Sequence, residues 1–506
     1  MISTDKTKKK KCRASDRDWI KHRIKPEQIE KYLDNGKTFI DTGSIEHDLN
    51  TNRNPDAGRV RDIIRKSLAI QALTPQETAC LLHVESEELL EEMKQAAGEI
   101  KKKVYDNRIV MFAPLYMSNF CINDCQYCGF RRSNTSARRR VLSLDEVTSE
   151  VEVLAGKVGH KRLIVVYGEH PSSDVDYIAS TVETIAGVEV KTRGGCGQIR
   201  RSNVNAAPMS VEELKVLHEV GIGTFQVFQE TYHRPTYEAV HPQDTVKGDY
   251  AWRLYSMHRA MEAGVDDVGL GVLFGLYDWK FEVMGLVRHA IELESKFGVG
   301  PHTISFPRLE PADNTPYTRN PEHQVTGADF DKLVTVIRLA VPYTGMIITA
   351  REDAETRRRV LPLGCTQIDA SSKIGIGAYS DTSDGQQGDR QQFILGDTRS
   401  LDDVIRELAE DGCITSFCTA GYRCGRTGVK IMNLLKCGKE GHFCKLNAVI
   451  TFREWLDDFA TPETAIAGEK VIADEIEQIK RQMPAAFDKF IELYDKTKVG
   501  RRDLYF

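Results

Sequence analysis

The chain has 506 residues, of which 41% are hydrophobic and 28% are charged, a composition typical of a globular protein. Its formal net charge of −5 gives no reason to expect a nucleic acid or an anionic membrane as partner. No apolar run approaches the roughly 18 residues of a membrane span.

Cysteine usage and the N-terminus bear on the compartment. Twelve cysteines without a secretory signal favour a reducing interior, where thiols bind metals or do chemistry. We therefore expect a cytoplasmic protein. The lysine run Lys8 to Lys11 is expected to be a solvated, disordered tail, with an organelle address as the alternative.

Residues 1–104 are predicted to form a tail and a helical extension. Apolar residues recur at three- and four-residue spacing in three segments. These segments are Pro26–Leu33, Ala57–Ala72 and Glu85–Val104. Thr74 and Pro75 have the character of a helix start, with threonine as N-cap and proline in the first turn.

Residues 105–379 alternate between apolar strands and amphipathic helices. Eight strands over about 265 residues predict an α/β fold of the (β/α)8 TIM barrel class. A doubly wound open sheet is the alternative, but the dinucleotide glycine fingerprint is missing after the first strand. The predicted strands are 109–116, 162–167, 199–204, 223–228, 267–274, 302–306, 345–349 and 365–369.

A cysteine-rich loop follows the first predicted strand. Cys121, Cys125 and Cys128 have the spacing C-x3-C-x2-C. Three thiolates can hold three irons of a 4Fe-4S cluster and leave the fourth iron open. A zinc site needs four ligands, and a disulfide framework suits short secreted chains. The pattern therefore favours an iron–sulfur cluster with an open iron.

This spacing resembles the signature of the radical S-adenosylmethionine (SAM) enzymes. The resemblance implies that SAM binds the open iron and is cleaved to a 5′-deoxyadenosyl radical. It also implies that Tyr127 lies against the adenine. Glu169 resembles the residue that receives the SAM amino group, although a surface carboxylate is the alternative.

Residues 380–506 are predicted to be a helical, cysteine-rich region. The polar segment Asp381–Gln392 is interpreted as a flexible link or an active-site loop. The density of thiols favours a second iron–sulfur site, with scattered buried thiols or a zinc site as alternatives. The five cysteines are Cys413, Cys418, Cys424, Cys437 and Cys444.

Longer motifs resemble the HydG family of FeFe-hydrogenase maturases, which are tyrosine lyases related to the 2-iminoacetate synthases (ThiH) of thiamine synthesis. The similarity runs from about residue 60 to residue 465. The motifs are Gly168-Glu-His-Pro, Asn203-Val-Asn-Ala-Ala-Pro, Gln226-Val-Phe-Gln-Glu-Thr-Tyr-His-Arg-Pro-Thr-Tyr, Gly271-Val-Leu-Phe-Gly-Leu-Tyr-Asp, Gly298-Val-Gly-Pro-His-Thr-Ile-Ser and Ala340-Val-Pro-Tyr-Thr-Gly.

The resemblance implies a radical SAM barrel that cuts the Cα–Cβ bond of L-tyrosine to p-cresol and dehydroglycine. Dehydroglycine would then yield carbon monoxide and cyanide on a second cluster, for assembly of the hydrogenase active site. The implied partners are SAM, tyrosine, a reductant such as ferredoxin or flavodoxin, and hydrogenase-maturation scaffold proteins.

Candidate site residues follow from the barrel and the resemblance together. Residues at the C-terminal ends of barrel strands converge on one site, which makes Glu230 a cofactor-binding candidate and Tyr232 a catalytic one. Arg351 could bind the tyrosine carboxylate, or form an ion pair with Glu352 or Asp353. His302 is a candidate ligand for an extra iron, or a core histidine.

One position departs from the family. The C-terminal motif C-x2-C-x22-C falls on Cys418, Gly421 and Cys444, so that glycine replaces the middle ligand. Cys424 is the candidate substitute. Without a third thiolate, the barrel chemistry would survive and the diatomic products would not. The alternatives are a 2-iminoacetate synthase that stops at dehydroglycine, and a non-catalytic iron–sulfur carrier.

Overall fold

The structure is a computed structural model that describes residues 16–381, 385–436 and 440–506. The lysine run at residues 8–11 and Cys437 lie outside these ranges. The N-terminal region is helical, as the sequence predicts. Its helices are α1 (Asp16–Arg23), α2 (Glu27–Glu30), α3 (Thr42–Thr51), α4 (Ala57–Leu68), α5 (Pro75–Leu82) and α6 (Glu87–Tyr105).

Eight parallel strands close into a barrel, which confirms the predicted fold class. Neighbouring strands pair in chain order, and the last strand pairs with the first. The barrel strands are β1 (Arg108–Ser118), β2 (Arg162–Tyr167), β5 (Arg201–Asn205), β6 (Phe225–Gln226), β7 (Val268–Gly271), β8 (Thr303–Ser305), β9 (Gly345–Ile348) and β10 (Gln367–Asp369). A short hairpin, β3 (Glu189–Lys191) with β4 (Cys196–Gln198), lies outside the barrel.

Helices connect the barrel strands and cover the outside of the barrel. Capping boxes begin α7 at Ser143 and α9 at Ser210. Between β6 and β7, one helical stretch is divided at Tyr255. The barrel helices are α7 (Leu144–Val153), α8 (Val175–Gly187), α9 (Val211–Val220), α10 (Arg234–Val240), α11 (Tyr250–Leu254), α12 (Ser256–Glu262), α13 (Trp279–Phe297), α14 (Gly327–Ala340) and α15 (Ala354–Val360).

The C-terminal region adds one strand to the barrel sheet. Strand β11 (Ile414–Ser416) pairs in parallel with Arg108–Val110, the first residues of β1. All eleven residues of β1 are buried because β1 pairs with β2, β10 and β11. The remaining helices are α16 (Leu401–Glu410), α17 (Ala420–Arg423), α18 (Gly428–Lys436), α19 (Glu440–Phe459), α20 (Pro462–Gln482) and α21 (Pro484–Lys498).

Buried ion pairs hold α19 against the N-terminal ends of the strands. The Glu454 carboxylate accepts Arg200 at 2.8 Å and lies 3.2 Å from the Lys161 ammonium. Burial alone would raise the pKa of Glu454, but the two cations lower it to about 2. Helix α19 therefore covers the bottom of the barrel. Within the ranges that the structure describes, no helix combines the length and apolar character needed to cross a membrane.

A buried carboxyl fixes the segment that follows β6. Glu282 of α13 accepts the backbone N–H of Tyr232 at 2.7 Å and the hydroxyl of Thr231. Burial raises the pKa of Glu282 to about 8, although these hydrogen bonds oppose the rise. Glu282 is therefore largely protonated in the folded protein at neutral pH.

This raised pKa predicts how stability depends on pH. The unfolded chain ionises Glu282 from about pH 4.5 and the folded chain only near pH 8, so stability should fall as pH rises through that window. Glu282→Gln cannot ionise; its amide oxygen can accept the Tyr232 N–H while its amide N–H donates to the Thr231 hydroxyl oxygen. We expect its melting temperature to fall less between pH 5 and pH 8 than that of the wild type. Parallel pH profiles of the two proteins would contradict this assignment.

Candidate functional site

The main cavity opens at the C-terminal ends of the barrel strands. All three cysteines of the C-x3-C-x2-C loop line it. It also receives side chains from the ends of several other strands, among them Tyr127, Glu169, Glu230 and Arg351. The structure therefore brings together, in one cavity, seven of the side chains that the sequence singled out.

Backbone hydrogen bonds hold the cysteine loop against three other parts of the barrel. Ile122 N–H donates to Glu169 O at 2.8 Å, and Gln126 N–H donates to Val240 O at 3.1 Å. Gly129 N–H donates to Gln392 O at 3.1 Å. The loop is thus positioned by residues far apart in the chain rather than by its own turns alone.

The chemistry of the thiols fits a bound cation. Burial, and then the neighbouring Cys128, raise the pKa of Cys121 to about 11. Burial also raises the pKa of Cys125 to about 12, against the attraction of Lys247. Three thiolates in one buried loop would repel each other unless a positive centre lay between them. The donor set therefore fits a cluster held by Cys121, Cys125 and Cys128.

A polar network borders the cysteines. Asn123 donates to Glu169 Oε2 at 2.6 Å and to the Cys121 sulfur at 3.7 Å. The other carboxylate oxygen of Glu169 is buried and has no hydrogen-bond partner among the residues that the structure describes. A buried carboxylate oxygen without a donor is costly. Glu169 therefore presents an acceptor to a ligand in the cavity.

Glu230 is another acidic residue that lines the cavity. It accepts Lys247 at 2.7 Å and Arg253 at 3.1 Å. Burial opposes ionisation, but these two cations lower its pKa below the ordinary value. Its φ of +72° lies in the left-handed region that favours glycine. Strain of this kind persists where surrounding contacts over-determine a residue, which is typical of functional sites.

Arg351 lines the cavity, and no ion pair joins it to an acidic residue in the part of the chain that the structure describes. Its guanidinium stacks on the Phe393 ring, with 3.3 Å between the guanidinium carbon and the ring centroid. The carboxylates proposed as its alternative partners are engaged elsewhere: Glu352 with Arg308, and Asp353 as the N-cap of α15. The geometry therefore favours the ligand-binding interpretation of Arg351.

Two predicted site residues lie away from the cavity. Tyr232 is fully buried, its hydroxyl contacts His289 Nδ1 at 2.9 Å, and its ring fills the space left by Gly285. His302 is at the opposite end of the barrel, where its Nδ1 lies 3.6 Å from Asp267. Burial lowers the pKa of His302, and Asp267 opposes this. Tyr127 does line the cavity, and its hydroxyl contacts His241 at 2.7 Å.

A second, smaller pocket lies at the N-terminal end of the barrel, which we call the lower pocket. Cys418, Gly421 and Cys444 line it, together with Arg108 and Arg426. A Cβ atom on Gly421 would meet no heavy atom closer than 3.9 Å, so the position has room for a side chain. Two thiols and an open position do not fit a cluster that needs three thiolates.

Cys424 does not fill the open position. It follows Gly421 by one helical turn, but its sulfur donates to the Phe506 carbonyl at 3.8 Å and it does not line the lower pocket. Asn447, which does line the pocket, also hydrogen-bonds to Phe506. Phe506 therefore accepts a hydrogen bond from Cys424, the side chain that was predicted to replace the missing ligand.

Sequence reasoning missed several polar neighbours of the cysteines. Asn123 lies inside the cysteine loop, so its place in the sequence could have indicated that it contacts the cysteines. Lys247 and Arg253 lie in the long connection between β6 and β7, and no motif indicates them. Gln392 contacts Cys128 across 264 residues of sequence, and no local pattern could have indicated that contact.

The sequence matches two family profiles and several known proteins. The profile of the Radical SAM superfamily matches residues 115–287, and that of the Biotin and Thiamin Synthesis associated domain matches residues 305–414. The 2-iminoacetate synthase of Salmonella typhimurium is 30% identical over 363 residues, which cover 70% of this chain and 89% of that protein.

Solved structures extend the similarity to most of the chain. A crystal structure of HydG, a maturase of the [FeFe]-hydrogenase, superposes with a TM-score of 0.87 at 46% identity and covers 92% of this chain and 100% of the other. HydG from Carboxydothermus hydrogenoformans superposes with a TM-score of 0.74 at 33% identity, over 94% of this chain and 99% of that one.

The open position at Gly421 predicts a gain of metal binding. Gly421→Cys should add a third thiol to the lower pocket without a steric clash. After anaerobic reconstitution we expect about four irons per chain in the wild type and about eight in Gly421→Cys, by iron and sulfide analysis. Gly421→Ser is the matched control and should resemble the wild type. About eight irons in the wild type, reduced to about four by Cys424→Ala, would contradict this interpretation.

Proposed function

Since this chain belongs to the radical SAM family that contains HydG and 2-iminoacetate synthase, we propose that it is a lyase that cleaves the Cα–Cβ bond of L-tyrosine, releasing p-cresol and dehydroglycine. The observation that carries this proposal is the shared cavity. Three cysteine thiols, an unpartnered Glu169 oxygen and the Arg351 guanidinium all face it.

Cofactor binding is assigned to one half of the cavity. Cys121, Cys125 and Cys128 would hold a 4Fe-4S cluster, which together with SAM supplies a 5′-deoxyadenosyl radical. The Glu169 oxygen that has no partner would accept a hydrogen bond from the SAM amino group. Tyr127 would lie along the adenine.

Glu230 would orient the cofactor from the opposite wall. Lys247 and Arg253 keep its carboxylate ionised, so it could accept hydrogen bonds from nucleoside hydroxyls. The same two cations fix its position, and Glu230, whose φ is positive, lines the cavity. Preorganised acceptors of this kind orient a ligand without further rearrangement.

Substrate binding is assigned to Arg351. A guanidinium can take a carboxylate by two parallel hydrogen bonds, and the Phe393 ring fixes its plane. The tyrosine carboxylate would thus be anchored while the barrel walls exclude water from the reacting bonds. A closed, dry site matters because a carbon radical abstracts the nearest available hydrogen.

Electron delivery and product transfer require partners. A low-potential reductant such as ferredoxin or flavodoxin would reduce the cluster. An anaerobic, reducing cytoplasm suits both the reductant and the cluster. Hydrogenase-maturation scaffold proteins are the proposed destination of any iron-bound product. Iron–sulfur carriers without catalysis would not need Glu169 and Arg351 in the same cavity as the cysteines.

Anaerobic turnover tests the lyase. With SAM, tyrosine and dithionite, the wild type should form 5′-deoxyadenosine and p-cresol, measured by liquid chromatography with mass detection. Cys125→Ala should abolish both products, whereas Cys196→Ala, outside the barrel, should not. Arg351→Met should raise the KM for tyrosine by on the order of tenfold or more, because a charge-assisted hydrogen-bonded pair is lost. Absence of 5′-deoxyadenosine from the wild type would favour the carrier.

The fate of dehydroglycine depends on the lower pocket. Continuation to carbon monoxide and cyanide would need an auxiliary iron–sulfur cluster there, held by Cys418 and Cys444 with Cys424 as the substitute ligand and His302 nearby. The lower pocket presents two thiols and no third among the residues that the structure describes. This observation favours the second candidate function, a lyase that releases dehydroglycine in the manner of a 2-iminoacetate synthase.

Product analysis separates the two outcomes. We expect the wild type to give p-cresol with glyoxylate, the hydrolysis product of dehydroglycine, and little carbon monoxide. Cys444→Ala should leave the rate of p-cresol formation unchanged, because Cys444 lies at the other end of the barrel. Carbon monoxide in amounts that match p-cresol, lost in Cys444→Ala, would instead support the maturase reaction. Carbon monoxide is measured by its binding to haemoglobin. Glyoxylate is measured after chemical derivatisation.

A further inference from the structure

We propose that Gln392 is a positioning residue that donates a hydrogen bond to the Cys128 sulfur and thereby raises the reduction potential of the cluster. The inference rests on the proposed function in one respect, namely that Cys121, Cys125 and Cys128 hold a 4Fe-4S cluster. It concerns a residue that follows the last barrel strand, outside the cysteine loop.

The side-chain geometry of Gln392 leaves one consistent orientation. Its Nε2 lies 3.5 Å from Cys128 Sγ, and its Oε1 accepts the Tyr116 hydroxyl at 3.1 Å. An amide N–H is a donor and a thiolate is an acceptor, so this orientation satisfies both ends of the amide. The Cys128 sulfur also accepts Phe130 N–H at 3.4 Å. Cys128 therefore receives two donors, one local and one from a distant segment.

The distant segment, residues 385–396, is fastened across the barrel mouth, and we call it the strap. Arg138 N–H donates to Asp389 O at 2.8 Å, and Ile394 N–H donates to Pro311 O at 3.0 Å. Gly396 N–H donates to Ala350 O at 2.9 Å, next to Arg351. These bonds join the strap to the segment after the cysteine loop and to the segments that follow β8 and β9, and residues of the strap line the cavity.

Glycine at position 129 permits the close approach of the strap. A Cβ atom there would lie 2.8 Å from Gln392 O and 2.9 Å from Gln391 O, closer than carbon and oxygen tolerate. The Gly129 N–H instead donates to Gln392 O at 3.1 Å. The backbone of Gln392 is therefore fixed to the cysteine loop, and the Tyr116 hydroxyl holds the oxygen end of its side-chain amide.

The electrostatic consequence has a definite sign. Reduction adds negative charge to a cluster and its sulfur ligands, and an N–H donor stabilises that charge. Removing the donor should therefore make the cluster harder to reduce. One hydrogen bond corresponds to about a three- to tenfold change in the ratio of reduced to oxidised cluster at fixed potential. For one electron, this equals a shift of about 30 to 60 mV.

The test is a redox titration of the reconstituted full-length protein, followed by electron paramagnetic resonance. It uses a Cys418→Ala/Cys444→Ala background, so that any signal comes from the cluster at the barrel mouth. Gln392→Leu should lower the midpoint potential by about 30 to 60 mV. Gln392→Glu should lower it further, because a carboxylate replaces the donor with a negative charge. Gln392→Asn, too short to reach the sulfur, should resemble Gln392→Leu.

A control variant separates this direct contact from general loosening of the strap. Gln386 holds Leu395 by two hydrogen bonds, at 2.7 and 3.0 Å, within the strap and away from the sulfur. Gln386→Leu should leave the potential unchanged. An unchanged potential in Gln392→Leu, or an equal shift in Gln386→Leu, would overturn the inference. Failure of the parent protein to bind a cluster would overturn the proposed function itself.

Discussion

The structure depends on three thiols confined to one buried loop. Burial raises the pKa values of Cys121 and Cys125, which disfavours their thiolates unless a cation is bound, and contacts outside the loop hold it in place. Backbone hydrogen bonds from Glu169, Val240 and Gln392 provide this restraint. The same bonds tie the loop to residues of the cavity wall. Loop position and cavity shape are therefore fixed together.

Charge is divided between the two ends of the barrel. At the mouth, Lys247 and Arg253 balance Glu230, and Arg351 lines the same cavity. At the bottom, Lys161 and Arg200 balance the buried Glu454 and fasten α19 beneath the strands. A barrel closed below directs ligands to the C-terminal strand ends, where such barrels carry their chemistry. The lyase step needs only that upper end.

Most of the barrel could be predicted from the sequence, because apolar strands and capped helices leave local patterns. The strand predicted at 199–204 begins two residues later and ends one residue later, at Arg201–Asn205, and the hairpin before it was not anticipated. Tyr232 was expected beside Glu230 in the cavity. The positive φ of Glu230 and the Glu282 hydrogen bonds turn the chain so that Tyr232 packs into the gap at Gly285. Contacts of this kind have no sequence periodicity. The position of Cys424 against Phe506 likewise depends on tertiary packing.

The central claim is that Cys121, Cys125 and Cys128 hold a cluster whose fourth iron is open to SAM. The most direct measurement is the electron paramagnetic resonance spectrum of the reduced protein before and after addition of SAM, in the Cys418→Ala/Cys444→Ala background. We predict a 4Fe-4S signal whose g-values change when SAM is added, because the ligand of one iron changes. A signal that SAM leaves unaltered, or a protein that binds zinc in place of iron and sulfide, would contradict the account.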